Sequence, residues 1–452
     1  MKAKELTNDS QEGVLAPALR LGGSKITTAL SLLAFLSLGA FFMVNVEMPP
    51  RANYLSGLNV ILFAIPAFWA ATCWLGTRDA VILFTVLGVL ALLIETLAII
   101  TGFPYGHFGY SDLLGYRLFG YTPWTVALAW TPLVLAAYAV FGRVKSYFEK
   151  AIAMPFLLVA FDLVLDPGAV KLGFWRYETG GDFYGVPISN FLGWLFSGFV
   201  AAAAIELFVR LRKPLLPVPA QLILSGFLII FFWTAIAFFS GMTTPFLIGI
   251  VLLVGLAGFY IKYHYAFDDM IVIVDENNTP IATAPKLAAH NADTQRHRAF
   301  SVFLFNKKGE LLLQQRALTK KTWPGVWSNS CCGHVMLHET VENAARRRLK
   351  YELGLTAENL EMMLPDFRYR AEKDGVIENE ICPVFVGFCN SEPKPNADEV
   401  NDIRWVNWKE FIGEVSDPAN GYSPWAVEEV KLLERDHRFK EIFERMTLDR
   451  HF

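Results

Sequence analysis

From Asn329 to His334 the chain reads Asn-Ser-Cys-Cys-Gly-His, just downstream of a basic stretch from Arg316 to Lys321. Glu378 and Glu380 stand one residue apart, and His290 and His297 lie upstream at a seven-residue interval. A thiol and a carboxylate that faces it can pass a proton to and from a substrate. Three imidazoles (His290, His297, His334) with carboxylates suit a divalent metal, and clustered cations suit phosphate oxygens. The set points to an enzyme acting on a phosphorylated substrate.

Those residues need rigid elements to hold them. Ile271 to Val274, Ala299 to Phe305 and Leu311 to Gln315 alternate as short strands, with Lys307-Lys308-Gly309 as a turn. From about Thr340 to Leu353 the pattern becomes helical and stops at Gly354, a suitable C-cap. Another strand follows around Pro383 to Phe388. Strand, loop, helix and strand in that order imply a layered α/β domain.

The rest of the chain is of another kind. Of 452 residues, 54% are apolar and 18% charged, and the average hides a break near residue 265. Before it come long apolar runs; after it no run could span a bilayer. A spanning helix takes about 20 mostly apolar residues. Eight segments qualify as expected spans: 26–45, 56–75, 80–101, 122–141, 151–166, 187–209, 218–240 and 243–262. The fifth is short and contains Asp162. Lysines and arginines favour one set of segments: Lys2, Lys4, Arg20 and Lys25; Arg78; Arg143, Lys145 and Lys150; then Arg210, Arg212 and Lys213. The alternate loops carry only Arg51, Arg117, Lys171 and Arg176. That bias puts both ends of the membrane domain on the cytoplasmic side. The five cysteines (Cys73, Cys331, Cys332, Cys382, Cys389) read as reduced thiols, since adjacent Cys331 and Cys332 would pair only with strain. A net charge of −3 without a dense basic stripe argues against nucleic acid. The expected division is a cytoplasmic tail at 1–25, a multi-span membrane domain at 26–264 and a cytosolic domain at 265–452.

Polar groups among the apolar runs are expensive and mark chemistry. Glu95 lies deep in the third span. Gly-Phe-Pro-Tyr-Gly-His-Phe-Gly-Tyr-Ser-Asp follows from Gly102 to Asp112, then Pro123, Trp124 and Trp130, then Asp162 and Asp166, Trp175 and Tyr177, and Ile188-Ser189-Asn190. Glu206 near the end of the sixth span reads as snorkelling to the interface. The Gly102–Asp112 segment, the Leu165-Asp166-Pro167 corner and Gly185 to Phe191 resemble the integral-membrane carotenoid 1,2-hydratases, which include bisanhydrobacterioruberin and γ-carotene hydratases. The resemblance covers about residues 25–265 and implies hydration of a linear carotenoid end. Such a reaction needs a proton donor that can make a tertiary cation, then a positioned water. On chemistry and position, Glu95 is the first choice of acid, with Asp112 and Asp166 behind it. Trp124, Trp130 and Trp175 could face the cation.

In the second half, Gly333, Glu339, Arg347, Leu349, Glu352, Gly354 and Leu355 fit the Nudix box spacing. Two positions that are glutamates in pyrophosphohydrolases are Arg348 and Tyr351 here, so the carboxylate cluster that cuts a diphosphate is depleted. These departures resemble type 1 isopentenyl-diphosphate Δ-isomerase, over essentially all of 268–435. The shared segments include Lys286 to His290, Arg296-His297, Arg316 to Lys321, Trp323 to Trp327, Asn329 to His334, Asp366 to Arg370, Glu378 to Glu380 and Ser423-Pro424-Trp425. The chain departs from relatives at Val335-Met336, where proline is common. The resemblance makes Cys332 the catalytic thiol, Glu380 its carboxylate counterpart and Tyr369 the hydrogen-bond partner of that carboxylate. It makes His290, His297, His334, Glu378 and Glu380 a metal site for zinc, manganese or magnesium. Glu352 becomes the ligand of a second ion, magnesium bound with the substrate diphosphate. Lys286, Arg316, Lys320 and Arg348 become diphosphate contacts, and Trp425 an aromatic lid over the cation. His338, His437 and His451 are assigned nothing.

The expectation is therefore a polytopic α-helical membrane domain of about eight spans fused to a soluble α/β Nudix-fold domain. The joint reading is a bifunctional protein of the cytoplasmic (inner) membrane with its C-terminal domain in the cytoplasm. Its partners would be isopentenyl and dimethylallyl diphosphate, a membrane-dissolved carotenoid and the lipid bilayer. Two alternatives stay open: a single isomerase whose membrane half is an anchor or transporter, or a tethered Nudix diphosphate hydrolase.

Overall fold

The computed structural model describes residues 23–47, 52–144 and 146–448. The expected tail at 1–25 falls almost wholly outside them, as do Lys2, Lys4, Arg20, Arg51 and Lys145 of the charge pattern. The chain divides into two compact units, Met1–Tyr265 and Ala266–Phe452.

The first unit contains helices α1 (Gly23–Asn45), α2 (Ala52–Leu75), α3 (Thr77–Thr101), α4 (Val126–Val140), α5 (Tyr147–Lys171), α6 (Ile188–Arg212), α7 (Ile223–Phe239) and α8 (Thr243–Tyr263). Among the described residues six are long and apolar enough to cross a membrane: α1, α2, α3, α6, α7 and α8. The expected eight are not all of that kind. Helix α4 has only 15 residues, short of a full crossing. Helix α5 runs well beyond the apolar stretch 151–166 and carries Glu149, Lys150, Asp162, Asp166 and Lys171. Its carboxylates are tolerated because neighbouring segments supply their hydrogen bonds.

Short strands lie between the helices: β1 (Phe108–Tyr110), β2 (Arg117–Leu118), β3 (Thr122–Pro123) and β4 (Trp175–Tyr177). β1 and β4 pair antiparallel, Tyr110 opposite Trp175 and Phe108 opposite Tyr177. Strand alternation puts those four aromatic rings on one face and Gly109 and Arg176 on the other. Gly193 of α6 lets the loop between α3 and β1 close in, since a Cβ there would stand 2.2 Å from the Tyr105 ring.

The second unit is built on a sheet whose hub is β7 (His297–Phe305). The other strands are β5 (Met270–Val274), β6 (Pro280–Pro285), β8 (Glu310–Arg316), β9 (Trp327–Ser328), β10 (Cys331–His334), β11 (Leu360–Leu364), β12 (Arg368–Lys373), β13 (Val376–Ile381), β14 (Val384–Phe388) and β15 (Val400–Asn407). Helices α9 (Lys286–Ala289), α10 (Val341–Leu353), α11 (Trp408–Val415), α12 (Pro424–Leu433) and α13 (His437–Leu448) complete it. The helix expected over 340–353 is α10, with Thr340 capping its start and Gly354 in the left-handed conformation at its end.

Alternation along β7 generates two cores. Phe300, Val302 and Leu304 pack with Leu349 and Leu353 of α10. Ala299, Phe303 and Phe305 pack on the other face with Trp408, Phe411 and Trp425. Gly333 allows α10 to approach: a Cβ there would stand 3.0 Å from the Phe300 ring and 3.3 Å from Arg348 Cγ. Gly333→Ala is expected to destabilise this unit by about 1–3 kcal/mol, the usual cost of overpacking. A lowered thermal unfolding midpoint would register it.

Candidate active sites

On β7, His297, Ala299 and Ser301 share one face. β10 runs antiparallel beside it, with Cys332 opposite Ser301 and His334 opposite Ala299. β13 runs parallel on the other side, with Glu380 opposite His297. Glu378 and Glu380, two apart on β13, share that face too. The thiol, two of the imidazoles and the carboxylates are thus set by register alone.

His290 joins them from the end of α9. Donor atoms of His290, His297, His334 and Glu378 all lie within 4.8 Å of one another. His290 Nδ1 is 2.6 Å from the Lys286 carbonyl and His297 Nδ1 is 2.9 Å from that of Gln295. Those backbone anchors turn each Nε2 inward, as an outer-shell partner does for a ligating histidine. His290 Nε2 stands 2.9 Å from Glu378 Oε2, yet neither atom makes a hydrogen bond, and His297 and His334 Nε2 are likewise unpartnered. Buried polar atoms normally find partners. Four that converge on one point without bonding each other fit a shared cation. Glu380 borders the group, its Oε1 being 3.4 Å from His297 Nε2 and 3.3 Å from His334 Nε2. Burial opposes ionisation of Glu380, but the two imidazoles beside it outweigh that and hold the carboxyl well below its ordinary range. Tyr369, its cross-strand neighbour on β12, hydrogen-bonds it.

The Cys332 thiol donates to Asn329 Oδ1 at 3.0 Å and lies 3.6 Å from Ser301 Oγ. Asn329 Nδ2 donates to Ser301 Oγ at 2.8 Å, and Ser301 donates to Glu429 Oε2 at 2.9 Å. Glu429 is completely buried and its other oxygen has no partner. Burial, then the nearby Glu429 charge, pushes the Cys332 thiol up to about 12. Trp425 closes this corner: its Nε1 donates to Ser328 Oγ, and its ring lies 5.4 Å from Tyr369 and 5.6 Å from Trp323.

The expected diphosphate cations also converge. Lys320 Nζ is 2.6 Å and Arg348 Nη2 is 3.1 Å from Glu399 Oε2. Lys286 feels Arg348, Lys320 and Arg316 electrostatically; burial first, then these like charges, lowers its ammonium from the usual lysine value. Arg316 sits over the Trp425 ring at 5.8 Å and donates to the Thr322 carbonyl. Glu352 is fully buried, accepting from Arg348 and from Gln314. Lys320, Arg348 and Lys286 around Glu399, with Arg316 near enough for Lys286 to feel it, suit a multiply charged anion.

In the first unit, five separated segments meet around three acids. Tyr110 of β1 donates to Glu95 Oε2 at 3.0 Å, and Tyr177 of β4 donates to Asp166 Oδ2 at 2.6 Å. The aromatic face of the β1–β4 ribbon therefore serves both acids. Asn190 Nδ2 bridges Asp162 and Asp166 at 2.7 and 2.6 Å, while Asp162 Oδ1 is buried without a partner. Glu95 and Tyr110 line a cavity of about 140 Å³. Asp112 stands apart: its side chain is 87% exposed and pairs with Arg117. Glu206, expected to snorkel, is held by Lys150 and Arg210.

Comparison with known proteins fits both geometries. A family model described as "Carotenoid biosynthesis protein" matches residues 55–256, and one described as "NUDIX domain" matches 295–426. The isopentenyl-diphosphate Delta-isomerase of Saccharopolyspora erythraea is 46% identical over 166 residues, covering 36% of this chain and 86% of that protein. That of Frankia alni is 45% identical over 164 residues, 36% and 84% of the two chains. That of Shigella boydii serotype 4 is 46% identical over 158 residues, 35% and 87%. The chain belongs to the isopentenyl-diphosphate Delta-isomerase family. It joins that Nudix domain to a carotenoid-biosynthesis region.

Within the isomerase-family domain, sequence reasoning missed Glu399, Ser301 and Glu429. Glu399 sits among other acids (Asp398, Asp402), so nothing in its neighbourhood sets it apart. Ser301 could have been found, being the one polar residue in the apolar run Ala299–Phe305. In the carotenoid-biosynthesis region the partners of Asp162, Asp166 and Glu95 were noticed as residues but not as partners.

Proposed function

We propose that the isomerase-family domain interconverts isopentenyl and dimethylallyl diphosphate, and that the membrane unit hydrates the terminal double bond of an acyclic carotenoid. The observation that carries the first reading is the placement of Cys332 and Glu380 on one sheet face, flanking β7, beside four cations. Isomerisation adds a proton to the terminal alkene carbon and removes one from the carbon beyond the resulting tertiary cation. A buried thiol held neutral and an ionised carboxylate are a suitable donor and acceptor for those two steps. Trp425, already packed over Tyr369, offers its π face to the cation. Lys286, Arg316, Lys320 and Arg348 hold the diphosphate and so orient the alkene. A divalent ion held by His290, His297, His334 and Glu378, next to Glu380, would polarise that carboxylate, and Glu352 would meet a magnesium brought with the diphosphate. Incubating the full chain with isopentenyl diphosphate should give dimethylallyl diphosphate with no phosphate released. Phosphate release would favour the tethered hydrolase instead.

The second reading rests on Glu95, a carboxyl at the wall of a largely apolar cavity that several tryptophans line. It can donate a proton to an alkene there. The lysine and arginine bias supports a cytoplasmic-membrane protein with its soluble domain inside. In cells that accumulate an acyclic carotenoid, the full chain should yield a pigment one water heavier. Glu95→Gln should lower that product on the order of 10²–10⁴-fold, the usual worth of a general acid. Unchanged pigment with the wild-type chain expressed would leave the membrane unit as an anchor.

A further inference from the structure

A Cys332 thiol that gives its proton to an alkene leaves a thiolate behind, and a buried anion without donors is expensive. Asn329 cannot supply one. Its Nδ2 is committed to the Val302 carbonyl at 2.9 Å and to Ser301 Oγ at 2.8 Å, which leaves its Oδ1 toward the sulfur. That oxygen accepts from a thiol and has nothing to offer a thiolate. Among the described residues, the other group within hydrogen-bond distance of the sulfur is Ser301 Oγ, at 3.6 Å.

Behind Ser301 stands Glu429. It lies one turn after Trp425 on α12 and is completely buried. Its Oε2 is 2.9 Å from Ser301 Oγ, and its Oε1 has no partner. Burial raises this carboxyl well above the ordinary range, so the group holds a proton. An ionised Glu429 would push the thiol up further and oppose the thiolate. A neutral carboxyl can reverse its bond to the serine, the carboxyl O–H donating over the same 2.9 Å. A serine oxygen accepts two hydrogen bonds and donates one. With Asn329 and Glu429 as the two donors, the serine proton is free for the sulfur. No heavy atom has to move.

We propose that Ser301 and Glu429 form a donor relay for the Cys332 sulfur: as the thiol proton leaves for the alkene, the Ser301 hydroxyl turns to the sulfur and Glu429 donates to the serine oxygen. The relay rests on the isomerase reading and adds two residues to that site. The S–H bond breaks and a C–H bond forms at the alkene terminus, while the protons of Ser301 and Glu429 stay on their own side chains. Ser301 touches the reacting sulfur. Glu429 is a positioning residue that acts through it.

The test is steady-state isomerisation of isopentenyl diphosphate by the full chain. Ser301→Ala should lower kcat on the order of 10- to 100-fold, the worth of a hydrogen bond to a charged group. KM should stay unchanged, because the serine bonds to Asn329, Glu429 and the sulfur and to none of the diphosphate cations. Glu429→Leu should lower kcat about fivefold, the worth of a single neutral hydrogen bond. Glu429→Gln, whose amide can donate to the serine, should recover most of that loss. The double variant Ser301→Ala/Glu429→Leu should be no slower than Ser301→Ala, since Glu429 reaches the sulfur only through the serine. A wild-type kcat in Ser301→Ala, a loss carried by KM, or losses that multiply in the double variant would overturn the relay and leave the isomerase reading intact. If Ser301→Ala does not fold, the two variants at Glu429 still decide, and equal rates in Leu and Gln overturn the relay. No isomerisation by the wild-type chain would overturn the isomerase reading, and the relay with it.

Discussion

Cys332→Ala is expected to lower isomerisation of isopentenyl diphosphate on the order of 10²–10⁴-fold, the usual worth of a positioned proton-transfer group. Stability and metal content should barely change. The thiol's hydrogen-bond partners are Asn329 and Ser301, which keep each other when the sulfur is removed. None of the four converging metal donors touches it. The control lies one residue away. Strand alternation turns Cys331 to the opposite face, where it is fully buried among Phe300, Leu312 and Leu349. Cys331→Val puts a similar apolar volume in that core, a kind of swap that costs under about 1.5 kcal/mol. Its turnover should stay close to wild type. Two adjacent thiols with opposite consequences test the register itself, since a one-residue slip of β10 would exchange them. Loss of activity in Cys331→Val with retention in Cys332→Ala would sink the assignment.

That register shows where sequence reading succeeds. Alternation was visible in 299–305, and the Asn329–His334 motif stood out through its family resemblance, though not their pairing. The strands then follow from packing rules, and the residues of the proton-transfer pair arrive on one face. The membrane unit shows where it stops. Hydropathy finds the apolar runs but cuts α5 at 166, because Asp162 and Asp166 count as charges. In the fold their cost is met by Asn190 and Tyr177, from segments that share no local pattern with α5. Glu95 ranked ahead of Asp112 as the acid on chemistry and position alone. Their separation comes from the β1–β4 pairing, which brings Tyr110 to Glu95 and leaves Asp112 with Arg117. A two-stranded ribbon of three residues a side is too short to read from sequence. Glu399 was invisible for a related reason: its role is to gather Lys320 and Arg348 from distant segments.

His297→Gln should strip the soluble domain of a divalent metal and stop isomerisation together. His297 is completely buried at the meeting of β7 and β13, and its Nε2 faces both Glu378 and Glu380. Losing an outer-shell partner already costs a metal site about 10- to 100-fold in affinity, and losing a ligand should cost more. Metal analysis of the purified full chain should find a bound divalent ion in wild type and little in the variant. Chelation of the wild type should abolish turnover, and re-addition should restore it. Affinity should also fall on acidification, because ligating imidazoles must be neutral and protons compete for them. Burial holds the His334 imidazole well below the ordinary histidine value, so protons compete poorly for it. His334→Gln should therefore weaken binding most noticeably at the acid end. Full turnover in a chelated, metal-free wild type would mean that the cluster is only a hydrogen-bonded support for Glu380. In that case Glu378→Gln, which keeps the shape and removes the charge, should leave the rate unchanged. If the converging donors hold an ion, the same substitution should lower metal content and turnover in parallel.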